Sequence, residues 1–345
     1  LKAALLRAPG DFIVAEAPTP KCPEGGLLIE VDRCSICSSD LKMAAKGHRD
    51  LVYPRILGHE VTGTVVAKDT RRKIAVGARV QVWPGVACGS CQSCIRGHDN
   101  LCDSIGIIGF NIDGGFAEYM AVPRGCVEAD GVNLLPDSLS SEHATLGEPL
   151  ACCINAQEAV RMAKGESVLV IGGGPLGALH AMLARSRGAE TVIISECLTS
   201  RKNSLLKTGA DIVAGPDIDS ISKGVMSSTE GRGVDVLILS TSDKAVDASL
   251  LSLLAPRGRL SIFSGLPRES SVAPIDMAHL HYRELSIIGS YGCTSWSDRR
   301  AIELLARKDF DVSWLLTKEV DLEDIAAGME HASRREGFRA LVRMN

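Results

Sequence analysis

The chain has 345 residues, of which 45% are hydrophobic and 23% charged, with a formal net charge of −4 and 12 cysteines. That length suggests two domains with room for a real core. The slight acidity argues against a phosphate-backbone binder, which needs a basic surplus on one face, so no nucleic-acid partner is expected.

In chain order, the opening LKAALLRAPG is too short and weakly apolar for a leader peptide. Up to about residue 150 the chain is rich in Gly and Pro, with short β-branched runs at Val61–Val66 and Arg79–Trp83. Such strands between turn residues predict an irregular, barrel-like β domain. The basic run Arg71-Arg72-Lys73 reads as a solvated turn.

Three stretches here carry candidate ligands: CSICSSD at 34–40, GHE at 58–60 and GEPLACC at 147–153. Cys37, His59 and Glu148 offer a thiolate, an imidazole and a carboxylate, and three protein ligands with an open fourth position are what a catalytic zinc needs. Asp40 and Glu60 are candidate outer carboxylates, Asp40 orienting the His59 ring. A second group, CGSCQSCIRGHDNLC at 88–102, holds Cys88, Cys91, Cys94 and Cys102. A disulfide pair, a redox centre, a nucleic-acid-reading zinc module and a structural metal clip are all compatible with four such thiols. Without secretory marks, metal ligands or reduced thiols are favoured, in a cytoplasmic protein.

From about 166 strands and helices alternate. The predicted order is a strand at Ser167–Ile171, a helix at Pro175–Arg187, a strand at Thr191–Ser195, a helix near 199–208, and strands at Asp211–Ala214 and Val234–Leu239. A helix at Lys244–Leu254 and strands at Arg259–Phe263 and Leu285–Ile288 follow, then helical stretches and a closing strand, Ala340–Val342. Fully apolar strands alternating with helices predict a parallel sheet covered on both faces. The uncharged run Ser167–Ala184 is broken by glycines and Pro175, so no membrane span is expected.

GGGPLG at 172–177 follows a predicted strand and opens a predicted helix. Gly172 makes the turn, Gly174 admits a pyrophosphate to the backbone, Gly177 lets helix pack on strand, and Pro175 and Leu176 start the helix whose N-terminus faces the phosphate charge. Glu196, about twenty residues on, suits a ribose 2′-hydroxyl and repels a 2′-phosphate, which favours NAD. Arg201 and Lys202 leave NADP possible.

Taken together, ICSSD, LGHE, the four-cysteine lobe, GGFAEY at 114–119, EPL at 148–150 and GGGPLG resemble the zinc-dependent medium-chain dehydrogenases, most of all the sorbitol, threonine and galactitol-1-phosphate dehydrogenase branch. The resemblance implies an α/β protein with a doubly wound Rossmann sheet, residues 153–289, inserted in a GroES-like β-barrel catalytic domain, residues 1–152 completed by 290–345. It implies two zinc ions per subunit. Cys37, His59 and Glu148, with Glu60 as an exchanging ligand, would hold the catalytic ion; Cys88, Cys91, Cys94 and Cys102 would hold a structural one. Cys152 and Cys153 are capable ligands lying past the matching position, and Cys22, Cys126, Cys197 and Cys293 read as buried or idle thiols.

The implied reaction passes a hydride from a secondary alcohol (a polyol, sugar alcohol or amino alcohol) to NAD, with the hydroxyl proton leaving through Ser39. Lys42 stands where many relatives place a relay histidine, and it can act only if burial lowers its pKa. The Arg-Tyr pair of sorbitol dehydrogenases is missing, Gly292 and Cys293 standing in that neighbourhood. The implied partners are an alcohol or ketone substrate and further copies of the chain, as a homodimer or homotetramer. The rival readings are an NADP-dependent reductase of the same fold without catalytic zinc, and a zinc- and nucleotide-binding regulator without turnover.

Overall fold

Every residue of the run Ser167–Ile171 is buried, which only a strand flanked on both sides and covered on both faces achieves. In the computed structural model, which describes residues 1–242, 248–265 and 271–344, this strand lies inside a six-stranded parallel sheet. Its neighbours are Thr191–Ser195 on one side and Val234–Leu239 on the other. Outward from these lie Ile212–Ala214 on the first side, and Leu254–Ile262 then Ser286–Gly289 on the second. The first strand thus sits at the point where the strand order reverses, the topology of a dinucleotide-binding sheet. The sheet belongs to one compact unit, Cys152–Gly292.

One expectation is corrected here. The strand expected at Arg259–Phe263 begins at Leu254, and the helix expected at Lys244–Leu254 is described only over Ala248–Leu251, residues 244–247 lying outside the described residues. Leu254 and Ala255 are apolar enough to end a helix or start a strand. Parallel pairing of Leu254 with Val234 decides for the strand, which then bulges through Pro256, Arg257 (φ 64°) and Gly258 before pairing resumes at Arg259.

The other unit joins Leu1–Ala151 to Cys293–Asn345. Its main sheet has seven strands, among them Val132–Leu134, Arg79–Val82, Glu60–Lys68, Leu27–Ser35, Arg339–Arg343 and Leu316–Asp321 in that order. Leu27, Ile29 and Val31 alternate with more exposed residues, the two-residue period of a strand with one face in a core. Arg339–Arg343 pairs antiparallel with Leu27–Ser35, Leu341 facing Ser35. The C-terminal strand is therefore threaded beside the segment that leads into Cys37. Among the described residues no helix is long and apolar enough to cross a membrane.

The glycine turn discriminates sharply between its positions. A Cβ on Gly177 would lie 1.8 Å from the Gly172 carbonyl oxygen, whereas one on Gly174 would meet nothing nearer than the Arg201 guanidinium at 3.8 Å. Gly177→Ala must push helix from strand and is expected to cost about 1–3 kcal/mol or more in denaturant unfolding. Gly174→Ala is expected to leave stability within about 0.5 kcal/mol of the parent.

Candidate active site

Cys37 caps the helix Ser38–Lys46, and the geometry around it is set by Asp40 three residues on. Asp40 is fully buried, and its Oδ2 accepts from the Cys37 N–H at 2.9 Å. Its Oδ1 accepts from the Gly58 N–H at 3.3 Å and lies 3.4 Å from His59 Nδ1, close enough for charge though not aligned as a hydrogen bond. One carboxylate thus joins the helix start to the turn before the strand Glu60–Lys68. Its charge favours the proton on Nδ1, leaving Nε2 to face Ser39 Oγ at 3.4 Å.

The Cys37 sulfur, a His59 ring nitrogen and a Glu60 oxygen lie within 4.8 Å of one another. Burial disfavours a charged His59, but Asp40 and then Cys37 outweigh it and hold the imidazole well above its usual range. A thiol, an imidazole and a carboxyl gathered this closely fit a divalent cation with mixed soft and borderline ligands. Half-buried Phe110 flanks the group, its ring 5.4 Å from that of His59, and forms an apolar wall.

Glu60 is fully enclosed and already well partnered. Arg339 Nη1 donates to its two oxygens at 2.8 and 3.0 Å and to the Ile36 carbonyl at 3.1 Å, and Ser35 Oγ donates to Oε2. Burial works against the Arg339 charge, yet Glu60, Cys37 and Glu148 hold its pKa above the usual value. Neither Arg339 nor Ser35 stands out in the sequence; the one signal was a charge leading into an apolar closing strand. Glu148 opens the helix Gly147–Ala159 and stands outside the tight cluster, with Cys293 Sγ 3.9 Å from its Oε1. Cys293, expected to be a buried or idle thiol, is buried, and it lies beside a candidate ligand. Cys153 turns instead to the Leu176 carbonyl, 3.5 Å away. Lys42 is exposed and forms no ion pair among the described residues.

The sulfurs of Cys88, Cys91, Cys94 and Cys102 also lie within 4.8 Å of one another, and all four are free thiols. Backbone N–H groups of Ser90 and Cys91 point at Cys88 Sγ and hold that thiol down to about 5, while burial first, then Cys91, pushes Cys94 up to about 12. Backbone hydrogen bonds at Cys94 and Asp103 lower the Cys91 thiol as well, and thiolates gathered this closely favour a cation. The lobe has only the short helices Gln92–Ile95 and Asp99–Leu101, with Ile95 69% and Leu101 53% exposed, so apolar burial does not hold it together. Four convergent thiols fit a closed tetrahedral metal site.

In the other unit, Gly172 takes φ 100° at the end of the central strand, and Gly174 caps the helix Pro175–Ser186 with Pro at its start. The first-turn N–H groups of such a helix suit an anion. Glu196 accepts from the Leu198 N–H at 2.8 Å, and Arg201 Nη1 lies 3.8 Å from its other oxygen, both side chains being buried. Arg201 therefore stands beside both the acid and Gly174.

Residues 23–130 match the family model described as "Alcohol dehydrogenase GroES-like domain" and residues 175–307 the one described as "Zinc-binding dehydrogenase". The chain is 36% identical to an L-threonine 3-dehydrogenase of Pyrococcus furiosus over 82% of its own length and 80% of the relative's. It is 30% identical to a sorbitol dehydrogenase of Bacillus subtilis, over 96% and 93%. Among solved structures, a putative zinc-binding dehydrogenase of Sinorhizobium meliloti bound to NADP superposes with a TM-score of 0.89 at 29% identity, covering 99% of each chain.

Two outcomes follow from this geometry. Arg339→Leu leaves Glu60 buried without its cation, and equilibrium unfolding is expected to show a loss of about 3–5 kcal/mol; a loss below about 1 kcal/mol would mean that water reaches the pair. Cys94→Ser is expected to remove one metal equivalent by elemental analysis and to make the 88–102 segment the first site cut in limited proteolysis.

Proposed function

The chain belongs to the zinc-binding alcohol dehydrogenase family and is an oxidoreductase, and from that premise we propose that it moves a hydride between a secondary alcohol and NAD at the Cys37–His59 site. The observation that carries this reading is the convergence of Cys37, His59 and Glu60 within 4.8 Å, with the Ser39 hydroxyl 3.4 Å from the same imidazole. Cys37 and His59 hold the catalytic zinc. Glu148 is the carboxylate that completes the set, as the resemblance implies, while Glu60 is engaged by Arg339 and Ser35. Glu60 contributes charge.

When bound, the zinc supplies Lewis acidity that favours the alkoxide form of an alcohol, and the nicotinamide supplies the hydride acceptor. The chain's own residues do the rest. Asp40 fixes the His59 ring so that its Nε2 faces the site. Ser39 Oγ relays the hydroxyl proton to water as the alcohol becomes a ketone, and Lys42 is exposed to solvent. Phe110 keeps one wall of the site dry. Gly172, Gly174, Pro175, Leu176 and Gly177 shape the pyrophosphate cradle. Glu196 takes the adenosine ribose hydroxyls, with Arg201 braced against it, which favours NAD over NADP.

Cys88, Cys91, Cys94 and Cys102 hold a second, structural zinc. The substrates are small secondary alcohols and the corresponding ketones. The strand Ser286–Gly289 ends the six-stranded sheet with no further strand beside it among the described residues, which suits the homo-oligomer implied by the resemblance.

A panel of polyols, amino alcohols and sugar phosphates, assayed with NAD and with NADP, tests the reading. We expect NADH formation on at least one secondary alcohol, two zinc ions per chain, and loss of turnover by more than about 10³-fold in Cys37→Ala, with NADH affinity within about twofold of the parent. Full turnover in Cys37→Ala, or one zinc per chain, would overturn it.

A further inference from the structure

Behind the first turn of the helix Gly147–Ala159, three polar side chains close a ring away from solvent. Asn133 Nδ2 donates to Asp298 Oδ2 at 2.7 Å and to Gln81 Oε1 at 2.8 Å, and Gln81 Nε2 donates to Asp298 Oδ1 at 3.2 Å. Gln81 and Asp298 are 0% exposed and Asn133 is 6% exposed. They come from the strands Arg79–Val82 and Val132–Leu134 and from the helix Ser295–Leu305. Among the described residues no cation pairs with Asp298. Burial, and then the negative charge of Glu148, push its carboxyl well above the usual range.

An apolar trio would fill this space at lower cost. What the ring does is visible at Gly147. A Cβ there would lie 3.2 Å from Gln81 Cδ and 2.8 Å from Ile302 Cδ1, on the same helix as Asp298. The residue just before Glu148 is therefore wedged between Gln81 and the Asp298 helix. On the other flank Cys293 Sγ lies 3.9 Å from Glu148 Oε1, and the Cys293 carbonyl accepts from Trp83 Nε1 at 2.9 Å. The backbone entering Glu148 is thus packed against one member of this ring and against the helix that carries another.

We propose that Asp298, by bracing Gln81 and Asn133 under Gly147, is a positioning residue that aims the Glu148 carboxylate and so sets the zinc affinity of the Cys37–His59 site. The inference rests on the reading of Glu148 as a zinc ligand. Asp298 touches neither substrate nor ion; it acts through the seat of the helix. Partners that orient a ligand in this way are worth about 10–100-fold in metal affinity.

The test is chelator competition on the full chain with the four-cysteine lobe loaded, paired with thermal unfolding of the same protein stripped of its weaker-held zinc. Asp298→Asn keeps the size of the side chain but offers one acceptor where two donors converge. It is expected to weaken zinc at the Cys37–His59 site by about 10–100-fold while the unfolding midpoint of the stripped protein holds or rises. Gln81→Met keeps the bulk against Gly147, breaks the ring, and is expected to move zinc affinity the same way by a smaller factor. Unchanged zinc affinity in both variants, or a loss that merely follows a falling midpoint, overturns the positioning role. Glu148→Gln separates the two layers: if it leaves zinc affinity unchanged, the ligand reading fails and this inference with it. If it weakens zinc while Asp298→Asn does not, only the positioning role fails.

Discussion

The buried carboxylate of Asp40 is the constraint on which the candidate site depends. Its two oxygens reach the Cys37 N–H, the Gly58 N–H and the edge of His59, so a helix start and a strand start are fixed to one point. A carboxylate at 0% exposure is stable only when its acceptors are satisfied and a partial or full positive charge lies near. The helix N-terminus provides part of that charge, and the imidazole provides the rest. The same arrangement orients the imidazole, so stability and chemistry are met by one interaction.

Around that point the unit collects buried charge in a way a purely structural core would avoid. Glu60 is offset by Arg339, which the chain brings in from its far end by pairing Arg339–Arg343 with Leu27–Ser35. Asp298 pairs with no cation among the described residues and is held by two amides. The four-cysteine lobe presents the opposite case: its thiols converge where little apolar surface is buried, an arrangement that a metal cross-link would stabilise. One site has a buried scaffold around its converging donors; the other has converging donors with little scaffold around them.

The nucleotide unit works by exclusion. A parallel sheet with its first strand at the reversal point leaves a crevice at the strand ends, where the glycine turn presents backbone in place of side chains. At Gly177 any side chain collides with the Gly172 carbonyl; at Gly174 a Cβ meets nothing nearer than the Arg201 guanidinium at 3.8 Å. The two glycines are therefore not equivalent: packing bars a side chain at one and tolerates it at the other.

The sequence by itself determined the alternation of strands and helices, the glycine turn and the clustering of four cysteines, and it singled out Cys37, His59 and Glu148 as candidates, because each is written in local spacing or in short motifs. It misjudged where the helix near 250 gives way to a strand, since Leu254 and Ala255 satisfy either state until Val234 is beside them. Only the tertiary structure decided that Glu60 is locked by Arg339, that Cys293 lies against Glu148, and that Gln81, Asn133 and Asp298 form one ring. Those partners are separated by 279, 145 and as many as 217 positions, and no local pattern records a contact made by folding distant segments onto one buried point.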